Sequence, residues 1–205
     1  MYKAVGDSLV GTYGPAPVTQ LSPGVGVATL AVPNLAVNDY YVIVRADPGN
    51  GYYTAAPSTL TRLTVYQPAK RSAIGVGWVS DGGRLGTFGF TVAYNTKATA
   101  IIGSSLYVYQ DGALIYTVLS NAWTGLAFTG TNKASFQGKA NVKTYNPATR
   151  VTTDIGGDFA FVVSVVDNGS RGDTYQITVY DKSGLLYHQT GARALSGGNI
   201  VVSTR

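Results

Sequence analysis

Apolar and polar residues alternate with a period of two along much of this chain, and clusters of Gly, Pro, Asp and Asn interrupt the alternation, a pattern that predicts antiparallel strands and not parallel βαβ units. In "DYYVIVRA", Tyr41, Ile43 and Arg45 share one face and Tyr40, Val42 and Val44 the other; in "TRLTVYQ", Leu63 and Val65 face one way. The intervening "DPGNGYY" reads as a loop. Pro68 then breaks the pattern, and a boundary at residues 68 to 72 predicts two modules, 1–68 and 73–205. Beyond it "TFGFTVAY" places Phe88, Phe90, Val92 and Tyr94 on one face, and "SSLYVYQDGALIYTVLS" reads as a hairpin turning around Gln110, Asp111 and Gly112. "DFAFVVSVV" aligns Phe159, Phe161, Val163 and Val165, and "TYQITVY" aligns Tyr175, Ile177 and Val179. The turn "DKSG", then "LLYHQ" and a last strand "NIVVST", close the chain.

Composition sharpens this picture. At 205 residues and 45% hydrophobic, with a mean hydropathy of +0.09, the chain is long enough for one large or two small domains with real cores. There is no Glu, so all ten acidic residues are Asp, while Gly and Tyr number 26 and 15. Helix faces usually spend Glu, Lys, Leu and Ala, whereas Val, Thr and Tyr suit a pleated surface, so the whole chain reads as all-β. The absence of Cys excludes disulfides, thiolate metal sites and cysteine nucleophiles. The net charge of +5 is scattered, with only Lys70 and Arg71 adjacent, so no nucleic-acid partner is expected. No run approaches the roughly 18 to 20 apolar residues of a membrane-spanning helix, and "MYKAVGDSLVG" lacks the apolar centre of a signal peptide, so the expectation is a signal removed with upstream sequence or a fragment of a longer protein.

Read in order, "IGVGWV", "FGFTVAY", "SFQGKANV", "FAFVVSVVDNGSRGDTYQITVYDKSGLLY" and "LSGGNIVV" resemble the C-terminal β-sandwich modules that end large bacterial secreted or surface proteins after runs of immunoglobulin-like repeats. The resemblance covers about residues 70 to 204 and is most specific from Asp167 through Gly172, Asp173 and Asp181 to Gly184, with Gly197 and Gly198 after it. Residues 1 to 67 look like the later strands of a bacterial immunoglobulin-like repeat. The chain departs from the family in the longer "KTYNPATRVTTDIGGD" and in Gln176, where a basic residue is common. The resemblance implies two antiparallel β-sandwich modules, immunoglobulin-like or jelly-roll-like, outside a bacterial cell. Together with the strand alternation it leads to an expected non-catalytic structural or adhesive role, and a polysaccharide or a cell-surface component is the expected partner; a carbohydrate-binding module and a hydrolase are the alternatives.

Candidate chemistry concentrates in "VVDNGSRGDTY", Val165 to Tyr175. As a strand connection it needs only what Asx side chains and Gly provide: caps for turn amides and left-handed backbone. Asp173, next to the first paired residues, is expected to accept amide hydrogen bonds from its own loop. Arg171, Gly172 and Asp173 spell an integrin-binding tripeptide, which requires a free carboxylate. Asp167, Asn168 and Asp173 could supply oxygens to calcium, although the spacing matches no EF-hand. Asn168, Gly169 and Ser170 form a sequon that matters only in a eukaryotic secretory pathway. His188 is the sole histidine and the one available base for a serine nucleophile, with no Gly-x-Ser-x-Gly elbow present. Asp154, Asp158, Asp167, Asp173 and Asp181 are the carboxylates from which a glycosidase pair would be drawn, without the Glu such enzymes usually include. Trp123, Tyr107 and Tyr109 are the candidates for a flat glycan platform, the two tyrosines necessarily sharing one face of their strand.

Overall fold

The computed structural model describes residues 2–3, 9–22, 25–32, 34–44, 61–65, 71–169 and 172–204. The chain divides into two compact units, Met1–Val65 and Tyr66–Arg205. The boundary expected at 68 to 72 falls mostly outside the described residues, as does the loop "DPGNGYY". Among the described residues the protein is almost entirely strand, with no α-helix.

The first unit holds an antiparallel three-stranded sheet of β1 (Tyr2–Lys3), β4 (Asn38–Val42) and β5 (Thr61–Val65), and a hairpin of β2 (Thr19–Ser22) and β3 (Val25–Val27). Tyr40 is buried and its hydroxyl donates to the Ala36 carbonyl at 2.7 Å, so a large ring enters the interior with its polar tip satisfied.

The second unit is a single antiparallel sheet. Seven strands run as an uninterrupted meander: β6 (Arg71–Asp81), β7 (Arg84–Tyr94), β8 (Ile101–Asp111), β9 (Leu114–Thr129), β10 (Lys133–Asn146), β11 (Val151–Val166) and β12 (Thr174–Tyr180). Beyond β12 lie β13 (Leu186–Gln189) and the two-residue β14 (Arg193–Ala194), both paired to it; the last strand, β15 (Gly197–Thr204), returns to pair with β6. The predicted hairpin is present as a tight turn at Gly112 and Ala113, where Gly112 adopts the left-handed φ of 58° that the turn demands.

A sandwich reading anticipates two separate sheets, but the ladder is continuous from β13 to β15. Strands β9, β10 and β11 are 16, 14 and 16 residues long, and the register shifts between them, at Gln137/Gly138 and Lys139/Ala140 on one side of β10 and around Val142 on the other, are bulges that bend them. The bent sheet rolls until its inner faces meet. Phe88 of β7 stacks on Tyr175 of β12 with ring centroids 4.0 Å apart, and Phe90 lies against Phe136 of β10 at 4.9 Å.

Residue size along β6 makes that contact fit. Its inward residues, Ala73, Gly75, Gly77 and Val79, are small, and the rings of Phe88 and Phe90 fill the space they leave. A Cβ on Gly75 would lie 2.6 Å from the Phe90 ring, so the glycine is required by close approach. The outward residues Ile74, Val76 and Trp78 are larger and exposed, and the Trp78 ring covers its cross-strand partner Gly197.

Candidate functional site

The loop from Asp167 to Asp173 joins β11 to β12 at the seam where the rolled sheet comes round to β15. One edge of β15 pairs with β6; along the other, the amides of Ile200 and Val202 find carboxylates in place of a strand. Ile200 N donates to Asp173 Oδ2 at 2.7 Å, and Val202 N donates to Asp167 Oδ2 at 2.9 Å. The remaining oxygens hold the loop itself: Asn168 N donates to Asp173 Oδ1 at 2.9 Å and Gly169 N to Asp167 Oδ1 at 3.2 Å. Asn168 Nδ2 donates to the Gly172 carbonyl, and Asn132 Nδ2 to the Asp167 carbonyl. Each of the four carboxylate oxygens therefore accepts a backbone amide, and the two side chains act as a clasp across the seam.

This geometry places every described member of the sequence candidates. Asp173 is only 5% exposed, so the carboxylate an integrin would need faces inward; Ser170 and Arg171 lie outside the described residues. Asp167, Asn168 and Asp173 do come together in one loop. A calcium ion requires anionic oxygens directed at it, and here they are directed at amides. Among the described residues, no group of three or more His, Asp or Glu side chains is close enough to hold a metal.

At the other end of β12 lies His188, on the edge strand β13. Its ring stacks on Tyr109 of β8 at 3.7 Å, and Nε2 is 3.4 Å from the Tyr107 hydroxyl. Burial, assisted by the positive charge of Arg84, depresses the imidazole to about 4 against the pull of Asp111 and Asp81, so the ring is neutral near pH 7. Burial also raises the Tyr107, Tyr109 and Tyr175 hydroxyls, and all three stay protonated. The ring cluster is a desolvated wall, with no hydroxyl poised to lose a proton.

Asp81, at the end of β6, completes this end of the sheet. It accepts Gly191 N at 2.8 Å and the Arg193 guanidinium at 2.7 and 3.0 Å, and those bonds, the Gly191 amide first, hold its carboxyl below the usual range. Nothing in the local sequence points to Asp81, because its partners lie 110 and 112 residues away. Thr190 was missed for a similar reason: its hydroxyl accepts Ile177 N and its own amide donates to the Ile177 carbonyl.

Asp181 and Asp154 each hold nearby backbone amides. Asp181 caps its own turn through Ser183 and Leu185, the Ser183 hydroxyl first among the bonds that lower its carboxyl. Asp154 accepts Gly156 N, and Asp158 occupies a bulge with φ of 65°. Tyr107 and Tyr109 share a face, as alternation requires, but it is the inner one, and both rings are buried. Trp123 of β9 is half-buried, with Nε1 donating to the Gly103 carbonyl at 3.3 Å. No family model, no curated protein and no solved structure matches this chain.

Proposed function

We propose that this protein is a non-catalytic structural or adhesive module displayed outside a bacterial cell. The observation that carries the reading is the employment of its titratable groups. The four oxygens of Asp167 and Asp173 bind backbone amides across and within the seam, and the single histidine is desolvated against two tyrosines, so the groups a hydrolase would use are spent on holding the sheet. A long, Cys-free antiparallel sheet, closed by side chains in place of a further strand, suits a role that depends on shape and persistence.

In the same reading, residues 1–68 form a partial immunoglobulin-like module and 73–205 a C-terminal module whose two sandwich faces belong to one continuous rolled sheet, supported by the sheet and hairpin of the first unit and by the packed inner faces of the second. Two measurements test the proposal. Esters, glycosides and peptides in a chromogenic panel should be turned over no faster than in buffer, and hydrolysis abolished by His188→Ala would overturn the non-catalytic reading. Protease added to intact cells producing the protein from its own locus should cleave it, and protection until lysis would overturn the external location.

A further inference from the structure

The turn between β7 and β8 folds against β9 and borders a half-open cavity of about 350 Å³ lined by Tyr94, Ala98, Thr99, Ile101, Trp123 and Thr124, together with Ala100. One side chain holds this turn closed. Asn95 Oδ1 accepts Thr99 N at 2.9 Å and Ala100 N at 3.4 Å, and Asn95 Nδ2 donates to Thr99 Oγ1 at 3.0 Å. Its backbone adds two bonds: Asn95 N donates to the Ala100 carbonyl, and Ala98 N to the Asn95 carbonyl, both at 2.8 Å.

Within the turn Ala98 adopts a φ of 55°, a left-handed conformation disfavoured for an alanine because its Cβ crowds the following carbonyl oxygen. Its methyl packs against the core beside the cavity. Strain of this kind is retained where the surroundings over-determine it, often at binding sites.

The wall opposite the turn is equally fixed. Trp123 meets the rings of Phe136 and Phe161 edge-on at 5.9 and 5.8 Å, and its indole N–H is committed to Gly103. The ring is therefore set before any ligand arrives, which reduces the entropy lost on binding. No charged side chain lines the cavity; Lys97, in the same turn, is not part of it. What remains is an aromatic wall, apolar groups at Ile101 and Ala98, and at the rim the Thr124 hydroxyl beside that of Thr99, which Asn95 holds.

These features match a ligand with one C–H face and a periphery of hydroxyls, and no net charge. We propose that the cavity between the β7–β8 turn and Trp123 binds a single neutral sugar residue. Its volume is at the small end of the range for small-molecule sites, which favours one ring over an extended chain. This goes beyond the structural reading above and does not depend on it, since a sugar site is compatible with either a catalytic or a non-catalytic module.

The test uses the whole chain and the methyl glycosides of glucose, galactose, mannose and N-acetylglucosamine as probes. In a Trp78→Phe background Trp123 is the only indole, so its emission reports the cavity directly while saturation-transfer NMR reports the ligand. At least one glycoside should shift that emission and show saturation transfer. Thr124→Lys, an exposed change at the rim, should weaken binding roughly tenfold or more with the amide spectrum otherwise preserved, and Lys97→Ala should leave binding unchanged. Silence from all four glycosides, or binding that Thr124→Lys does not weaken, would overturn the proposal.

Discussion

Replacing Asp173 with Ala removes the acceptor for two backbone amides at once, one from its own loop and one from β15. Hydrogen bonds to a charged group contribute about 1.5–3 kcal/mol each, and a buried donor left without a partner costs about 1–3 kcal/mol. Ile200 is buried, so its amide gains no water when the carboxylate is lost, whereas the amide of exposed Asn168 does. The expected loss is therefore about 3–5 kcal/mol, a large part of the roughly 5–15 kcal/mol that holds a typical domain together. Asp173→Asn keeps the volume but offers one acceptor and one donor to two N–H groups, so it should recover less than half of the loss. Asp167→Ala should cost less, because Asp167 is more exposed and its Gly169 bond is longer, at 3.2 Å. Urea denaturation followed by tryptophan fluorescence gives the free energies, with an unchanged m-value showing that stability and not compactness was altered. Because both carboxylates hold one strand, the double variant should deviate from additivity by more than about 0.5 kcal/mol. An Asp173→Ala protein within about 0.5 kcal/mol of wild type would refute the reasoning.

Two further outcomes follow from buried polar groups. His188 is neutral in the folded protein, its value depressed to about 4 from the ordinary 6.5, so its contribution is fully present above pH 6.5 and is lost as the pH falls toward 4. The thermal midpoint should decline across that window, and His188→Gln should flatten the decline; an unchanged slope would show that the imidazole is solvated. The Tyr175 hydroxyl is buried with no hydrogen-bond partner among the described residues, while its ring stacks on Phe88. Tyr175→Phe should accordingly be neutral or stabilise by about 1 kcal/mol in the same urea assay, and a loss of that size would reveal a partner for the hydroxyl.

Much of the fold was legible because alternation reports burial directly. Phe88, Phe90, Val92 and Tyr94 share the inner face as the pattern required, as do Phe159, Phe161, Val163 and Val165, and Tyr175, Ile177 and Val179 across from them. In β6 the same reasoning has no purchase, since both faces are apolar and the larger residues point outward; the Phe90 ring and Ile200 beside Gly75, and the Gly197 carbonyl and Phe88 ring beside Gly77, explain why these glycines face in. The continuous roll of the sheet was also hidden, because bulges in β9 to β11 leave little trace in residue type. The loop was half legible. The bond from Asn168 N to Asp173 follows from the turn chemistry of Asx residues, but the bonds to Ile200 and Val202 span 27 and 35 positions and exist only because the sheet closes. Alternation likewise put Tyr107 and Tyr109 on one face without saying which, and closure put that face inside.

The central claim is that Asp167 and Asp173 replace a strand along the free edge of β15. Amide hydrogen exchange in the unmodified protein tests it most directly, because Ile200 and Val202 donate to carboxylates and to no ladder partner. If the clasp holds, both amides exchange as slowly as those of β15 that pair with β6, and added calcium leaves their rates unchanged. Rates typical of an open sheet edge, or protection that appears only with calcium, would contradict the account.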